Sequence, residues 1–205
     1  GAAHHLALTG PSTIAAGTSF GVDVVVADAY DNPRTSTASV TIVRPTGCTG
    51  PSAATVPPAS VSGFVCTQSG SKAITFTVGA LTDDHVVEVS PLAPASVEIV
   101  LPTLSKAGVA SSGTVTARDT QGNVATGFNG NILLAASDAT AIYPPSVTAT
   151  AGVATFDVTF TDVGAQTVEA TLGSFTDIAS TTVRAGAPHE VILSDADGDA
   201  TAGTA

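Results

Sequence analysis

Ala16-Gly17-Thr18-Ser19-Phe20-Gly21-Val22-Asp23-Val24-Val25-Val26-Ala27-Asp28 lies over Ala107-Gly108-Val109-Ala110-Ser111-Ser112-Gly113-Thr114-Val115-Thr116-Ala117-Arg118-Asp119 when the chain is slid on itself by 91 positions. Under the same offset Leu6 falls on Val97, Leu8 on Ile99, Pro11 on Pro102 and Asn32 on Asn123. Further along the offset grows to 94, where Gly70 meets Gly164, Gly79 meets Gly173, Thr82-Asp83 meets Thr176-Asp177 and Val89 meets Val183. A third copy opens near Ala187, where Val191 and Leu193 repeat the alternation of Val97 and Ile99, and Ala202-Gly203 echoes Ala107-Gly108. The repeats therefore divide the chain into 1–92, 93–186 and, in 187–205, the first strand of a third copy. A period this long is unlike a solenoid and suits an independently folding unit. The junctions Pro91-Leu92-Ala93-Pro94 and Ala185-Gly186-Ala187-Pro188 are short and carry proline, which favours a semi-rigid string over freely tumbling beads.

Within each copy the apolar period is two. Val22, Val24 and Val26 alternate with Asp23, Val25 and Ala27; Ile74, Phe76 and Val78 alternate with Thr75 and Thr77. In the second copy Ala154, Phe156, Val158 and Phe160 alternate with Val153, Thr155, Asp157 and Thr159. The 31 threonines fit this pattern, since threonine on an outer strand face combines β-propensity with a solvated hydroxyl. Turn formers cluster at Asp31-Asn32-Pro33, Gly122-Asn123, Asn129-Gly130 and Pro144-Pro145. Six or seven strands per copy, with turn signals every 8–12 residues or so, predict an all-β chain of tandem Greek-key sandwiches with no helix.

Composition narrows the function classes. The 205 residues carry 17 acidic and 6 basic side chains, a net charge of −11, so the clustered cations that nucleic-acid phosphates require are missing. Only 11% of residues are charged although 43% are hydrophobic, and there is no Met or Trp. No apolar run approaches the 18 or so residues of a membrane span. No apolar leader follows Gly1, so any export signal is expected either to have been removed or to lie outside this sequence.

Ala107-Gly108 followed by Val115, Ala117, Asp119 and Gly122-Asn123 resembles the second strand of bacterial immunoglobulin-like repeats, the kind strung together in invasin- and intimin-type surface proteins. The first copy departs at Asp31, where that pattern has glycine. Thr126-Gly127-Phe128-Asn129-Gly130-Asn131-Ile132, and Ser137-Asp138 followed by Tyr143-Pro144, also resemble the middle of such repeats. The resemblance spans nearly the whole chain. It implies an immunoglobulin-like fold, export to the bacterial surface and a role as stalk, spacer or adhesive segment.

Candidate sites are few. Cys48 and Cys66 lie 18 positions apart with no Cys-x-x-Cys spacing and no histidine near them in sequence, which argues against a metal site. A disulfide between them is expected, with two buried thiols as the alternative; closing that loop stabilises by about 3 kcal/mol and implies an oxidising compartment. Calcium is the one metal the sequence suggests. Asp195, Asp197 and Asp199 alternate around Gly198, as hard oxygen ligands do, although no distal glutamate follows; Asp28, Asp31, Asn32 and Asp83-Asp84 are further oxygen sources. Solvated acidic turns explain the same residues. His4, His5 and His189 mark junctions, and with His85 they complete the four histidines. No hydrolase, metalloprotease or phosphate-loop motif is present, so no enzyme is expected. Lys72 and Lys106 do not occupy matching positions, which disfavours an isopeptide cross-link, and Tyr30 and Tyr143 alone are available as an aromatic face for a glycan.

The first expectation is accordingly a stalk segment of a surface adhesin. Its partners are neighbouring repeats of the same or an identical chain, and a host or cell-surface protein or glycan. The alternatives are an extracellular filament subunit joined by exchange of the lone strand in 187–205, which cannot bury its apolar face by itself, and a ligand-binding module.

Overall fold

A computed structural model describes residues 1–55 and 57–186. The lone-strand expectation, the Asp195, Asp197 and Asp199 calcium site and His189 all lie outside the described residues.

Residues 5–90 form ten strands: β1 (His5–Thr9), β2 (Thr13–Ala15), β3 (Ser19–Ala27), β4 (Pro33–Arg34), β5 (Val40–Val43), β6 (Cys48–Thr49), β7 (Ala53–Ala54), β8 (Ala59–Cys66), β9 (Gly70–Val78) and β10 (Leu81–Ser90). Residues 96–184 form eight: β11 (Ser96–Val100), β12 (Leu104–Lys106), β13 (Ala110–Arg118), β14 (Asn131–Ala136), β15 (Ser146–Thr148), β16 (Val153–Thr159), β17 (Gly164–Leu172) and β18 (Phe175–Arg184). Six strands of each set have four residues or more; the rest are short edge pieces too brief for a period-two signal. The described residues contain no helix.

The first set makes two sheets, ordered β1-β3-β8-β6 with β4 on β3, and β2-β10-β9-β5-β7. The second set repeats the plan as β11-β13-β16 and β12-β18-β17-β14-β15. Each pair of sheets closes on its own core. Phe64, Phe76, Ile74, Val22, Val24 and Val87 fill the first, where the Phe64 and Phe76 rings meet edge to face at 6.0 Å. Phe156, Phe160, Ile132, Val115 and Val168 fill the second. The alternation expected in β3, β9 and β16 is met, with the apolar series inward and Asp23, Thr155 and Asp157 outward.

Between β1 and β2 the chain crosses from one sheet to the other at Gly10-Pro11-Ser12, and β2 then runs parallel to β10, with Ile14 opposite Val89. The second copy does the same with β12 and β18, where Ser105 lies opposite Val183. At the first crossing the His85 ring fills the space beside Gly10, where a Cβ would come within 2.8 Å of Nε2, and Nε2 sits 3.0 Å from the Pro11 carbonyl. The second copy has Leu101, itself buried, at the position of Gly10.

The two copies differ by a β-bulge. In β8 the pairing slips between Phe20 opposite Phe64 and Gly21 opposite Ser62, leaving Gly63 as the extra residue. Its φ of 92° is left-handed backbone that glycine adopts without a Cβ clash. The bulge lets Val61 and Phe64, three apart, both face the core.

Candidate functional site at the junction of the two sandwiches

The structure brings Asp119 and Asn123, at the end of β13, against the far end of the first sandwich. Asp119 is buried and caps its own turn: Oδ1 accepts the main-chain N–H of Gln121 at 2.8 Å and of Asn123 at 2.9 Å. Oδ2 accepts the Asn123 side-chain amide at 3.1 Å and the main-chain N–H of Leu92 at 2.9 Å. Leu92 thus belongs to both units, because its side chain packs on the first core while its amide is held by the second sandwich.

Asn123 completes the joint. Its Nδ2 donates to the Thr67 carbonyl at 2.8 Å, and its Oδ1 accepts the Ser69 N–H at 2.9 Å. The side-chain amide therefore bonds the turn after β8 as a strand neighbour would, using one donor and one acceptor. Gln121 lies over Gly17. Pro91 and Pro94 fix φ on either side of Leu92.

The turn that receives Asn123 is itself pinned. Cys66, the residue before Thr67, is disulfide-bonded to Cys48 as the sequence led us to expect, and the Thr67 N–H donates to the Gly47 carbonyl at 2.8 Å. The second sandwich has no disulfide at the corresponding turn. There the buried Asp138 accepts the N–H groups of Thr161 at 2.7 Å and Asp162 at 3.0 Å, and Thr140 at 2.9 Å.

The Asp138 carboxyl is held well below its ordinary range, and that of Asp119 is lowered as well. For Asp138 the Asp162 and Thr161 amides outweigh the opposing effect of burial. For Asp119 burial alone raises the pKa, but the Leu92 and Asn123 donors reverse it. A depressed native pKa contributes stability that is complete above the unfolded carboxyl value of about 4 and is lost as pH falls toward the native value. The melting temperature of the chain is therefore expected to hold between pH 7 and 5 and to fall steeply below about pH 4. Asp138→Asn should flatten that acid slope in a pH series of melts; an unchanged slope would remove Asp138 from the account.

The other candidate residues are dispersed. Asp28, offered as a calcium ligand, accepts N–H groups from Tyr30 and from the main chain and side chain of Asn32, the partners of an anion cap. Asp31 pairs with His5 at 3.1 Å. Asp83 and Asp84 are exposed on β10. Among the described residues no group of three or more His, Cys, Asp or Glu side chains is placed to hold a metal. Tyr143 packs on the second core, which leaves Tyr30, 84% exposed, as the single aromatic displayed of the two. The sequence singled out Asp119 and Asn123 as part of a repeat pattern but not their role. The available signal was an Asp-x-x-Gly-Asn turn three strands after a four-residue proline linker.

No protein-family model and no curated protein matches the chain. Among solved structures it is similar to the Yersinia pseudotuberculosis adhesin InvE, at 18% identity and TM-score 0.38 over 87% of this chain and 60% of that one. It is also similar to domains 5–6 of the S-layer protein SbsC, at 17% and 0.36 over 88% of this chain and 97% of that one. The D00–D0 domain of intimin is 13% identical, with TM-score 0.43 over 86% of this chain and 96% of that one. The chain thus spans three fifths of the InvE structure and nearly all of the other two. These are likenesses of fold.

Proposed function

We propose that the chain is a non-enzymatic structural segment of an extracellular bacterial surface protein, a spacer built of sandwiches locked end to end. The observation that carries this reading is the Asn123 amide, bonded to Thr67 and Ser69 of one sandwich while Asp119 of the other holds Leu92. A flexible tether has no use for a buried carboxylate and a side-chain amide spent on fixing the neighbour. The Cys48–Cys66 bridge supports an oxidising location, and neighbouring repeats of the same or an identical chain are the immediate partners.

Spin labels at Ser71→Cys and Ser180→Cys, both exposed positions on different sandwiches, test it. The native chain should give one narrow distance distribution, and Asn123→Ala should broaden it without destabilising either sandwich by more than about 1 kcal/mol. A broad distribution in the native chain would overturn the spacer reading.

A further inference from the structure

The chain has four asparagines, Asn32, Asn123, Asn129 and Asn131, and three of them are protected by their surroundings. Asn32 precedes Pro33, whose nitrogen carries no hydrogen. Asn123 is held at both ends of its amide, by Thr67 and Asp119 on Nδ2 and by Ser69 on Oδ1, and the β-branched Val124 follows it. Asn131 opens β14 opposite Thr148, whose hydroxyl donates to its Oδ1 at 2.7 Å, and the fully buried Ile132 follows.

Asn129 differs in each respect. It is exposed and Gly130 follows it, so no side chain shields the next main-chain nitrogen. That nitrogen donates to no acceptor among the described residues. Asn129 Oδ1 accepts the Ala151 N–H at 3.0 Å, a donor aimed at the oxygen on which charge gathers when a nucleophile adds to the amide carbon. Nδ2 has the Gly127 carbonyl, at 3.4 Å, as its one partner among the described residues. Packing keeps the glycine in place, since a Cβ at Gly130 would come within 2.8 Å of the Phe128 ring, and Phe128 packs on the second core. The first sandwich has no counterpart. Aligning Val40 with Ile132, both fully buried, puts Thr37-Ala38 at the place of Asn129-Gly130.

We propose that Asn129-Gly130 is a site of spontaneous deamidation, which converts position 129 of the second sandwich to aspartate or isoaspartate. The Gly130 nitrogen gives up its proton and bonds to Asn129 Cγ; the Cγ–Nδ2 bond breaks, and Nδ2 departs as ammonia with that proton. Water then opens the five-membered imide. Attack at Cγ leaves aspartate, and attack at the main-chain carbonyl leaves isoaspartate, with the chain running through Cβ and Cγ. Nothing is oxidised or reduced, and water is the only co-reactant.

The two products act differently on the turn between β15 and β16. Ala151 holds a left-handed φ of 50°, unfavourable for a residue with a Cβ, and its N–H is the one that Asn129 Oδ1 accepts. Gly152 beside it donates to the Phe128 carbonyl at 2.8 Å and accepts the Ala117 N–H at 2.8 Å. Aspartate keeps the Oδ1 acceptor. Isoaspartate inserts a methylene into the main chain between Phe128 and Gly130, and so shifts the two acceptors that hold Ala151 and Gly152.

The full chain, held warm at neutral pH for several weeks, tests it. Peptide mapping with fragmentation should place the mass gain of ammonia lost and water added at position 129, at least about tenfold faster than at Asn32, Asn123 or Asn131. Part of that product should accept a methyl group from an isoaspartyl methyltransferase. In the isoaspartate fraction, separated by ion exchange, the Ala151 and Gly152 amides should exchange with deuterium at least about tenfold faster than in the native chain, while Asn129→Asp stays near native. No gain at position 129, or one no faster than at the other three asparagines, overturns the proposal. Unchanged exchange in the isoaspartate fraction overturns the effect on the turn.

Discussion

The double variant Cys48→Ala/Cys66→Ala is expected to destabilise the first sandwich by about 3 kcal/mol, a fall in its melting temperature of roughly 15 °C for a unit of this size. Cys48 sits on the two-residue strand β6, whose whole pairing is with Cys66 and Val65. Cys66 is fully buried in the core, and its carbonyl accepts the Gly17 N–H at 2.8 Å. Without the cross-link the segment between β5 and β8 regains its freedom in the unfolded chain and loses the anchor of β6 in the folded one. The second sandwich has its own core and no cysteine, so calorimetry should resolve a lowered first transition from a nearly unmoved second. Reduction of the native chain should reproduce the split. If both transitions fall together, the two sandwiches unfold as one unit and the bridge is not local in effect.

Gly113→Val is the second large effect, and it works by crowding. Gly113 lies opposite Phe156 in the β13–β16 pair, and a Cβ at that position would come within 2.5 Å of the Phe156 ring and 2.9 Å of Leu101. The corresponding pair in the first sandwich is Val22 opposite Val61, both buried. The same space is filled by glycine with phenylalanine in one copy and by two valines in the other. Valine at position 113 alone should cost the second sandwich about 3 kcal/mol, at the upper end of overpacking. Phe156→Val in the same chain should restore most of it, giving a strong favourable coupling in a double-mutant cycle by urea titration. A single variant that melts like the native chain would mean the ring has room to move aside.

That exchange shows what was legible in the amino-acid sequence and what was not. Alternation in β3, β9 and β16 placed the core residues on one face, and the Ala-Gly pair with the Asp and Asn four residues apart aligned the copies. The bulge came from the strand pairing, not from the sequence. The offset is 91 as far as Asn32, becomes 95 where Ala59 and Ala154 oppose matching valines, and is 94 from Phe64 onward; Gly63 is the residue that restores it. Local period cannot reveal such a slip, because it is defined by the partner strand. For the same reason the joint was hidden. Asn123 acts on Thr67 and Ser69, more than fifty residues away, and nothing near Asn123 in sequence distinguishes a turn that grips a neighbour from one that faces water. Asp28 read as an oxygen source for calcium because carboxylate spacing was visible and the N–H groups aimed at it were not.

The crossing of β2 and β12 into the opposite sheet has a mechanical meaning. In each copy the strand near the entry of the chain lies parallel to the strand by which the chain leaves, Thr13 to Ala15 along Glu88 to Ser90, and Leu104 to Lys106 along Thr182 to Arg184. Tension applied along the polypeptide pulls two such parallel strands in opposite directions along their own axes. Their hydrogen bonds are then strained together in shear, where an antiparallel hairpin pulled at its open end would peel one bond at a time. Rupture must break the whole patch at once, so each sandwich resists extension until a single cooperative yield point.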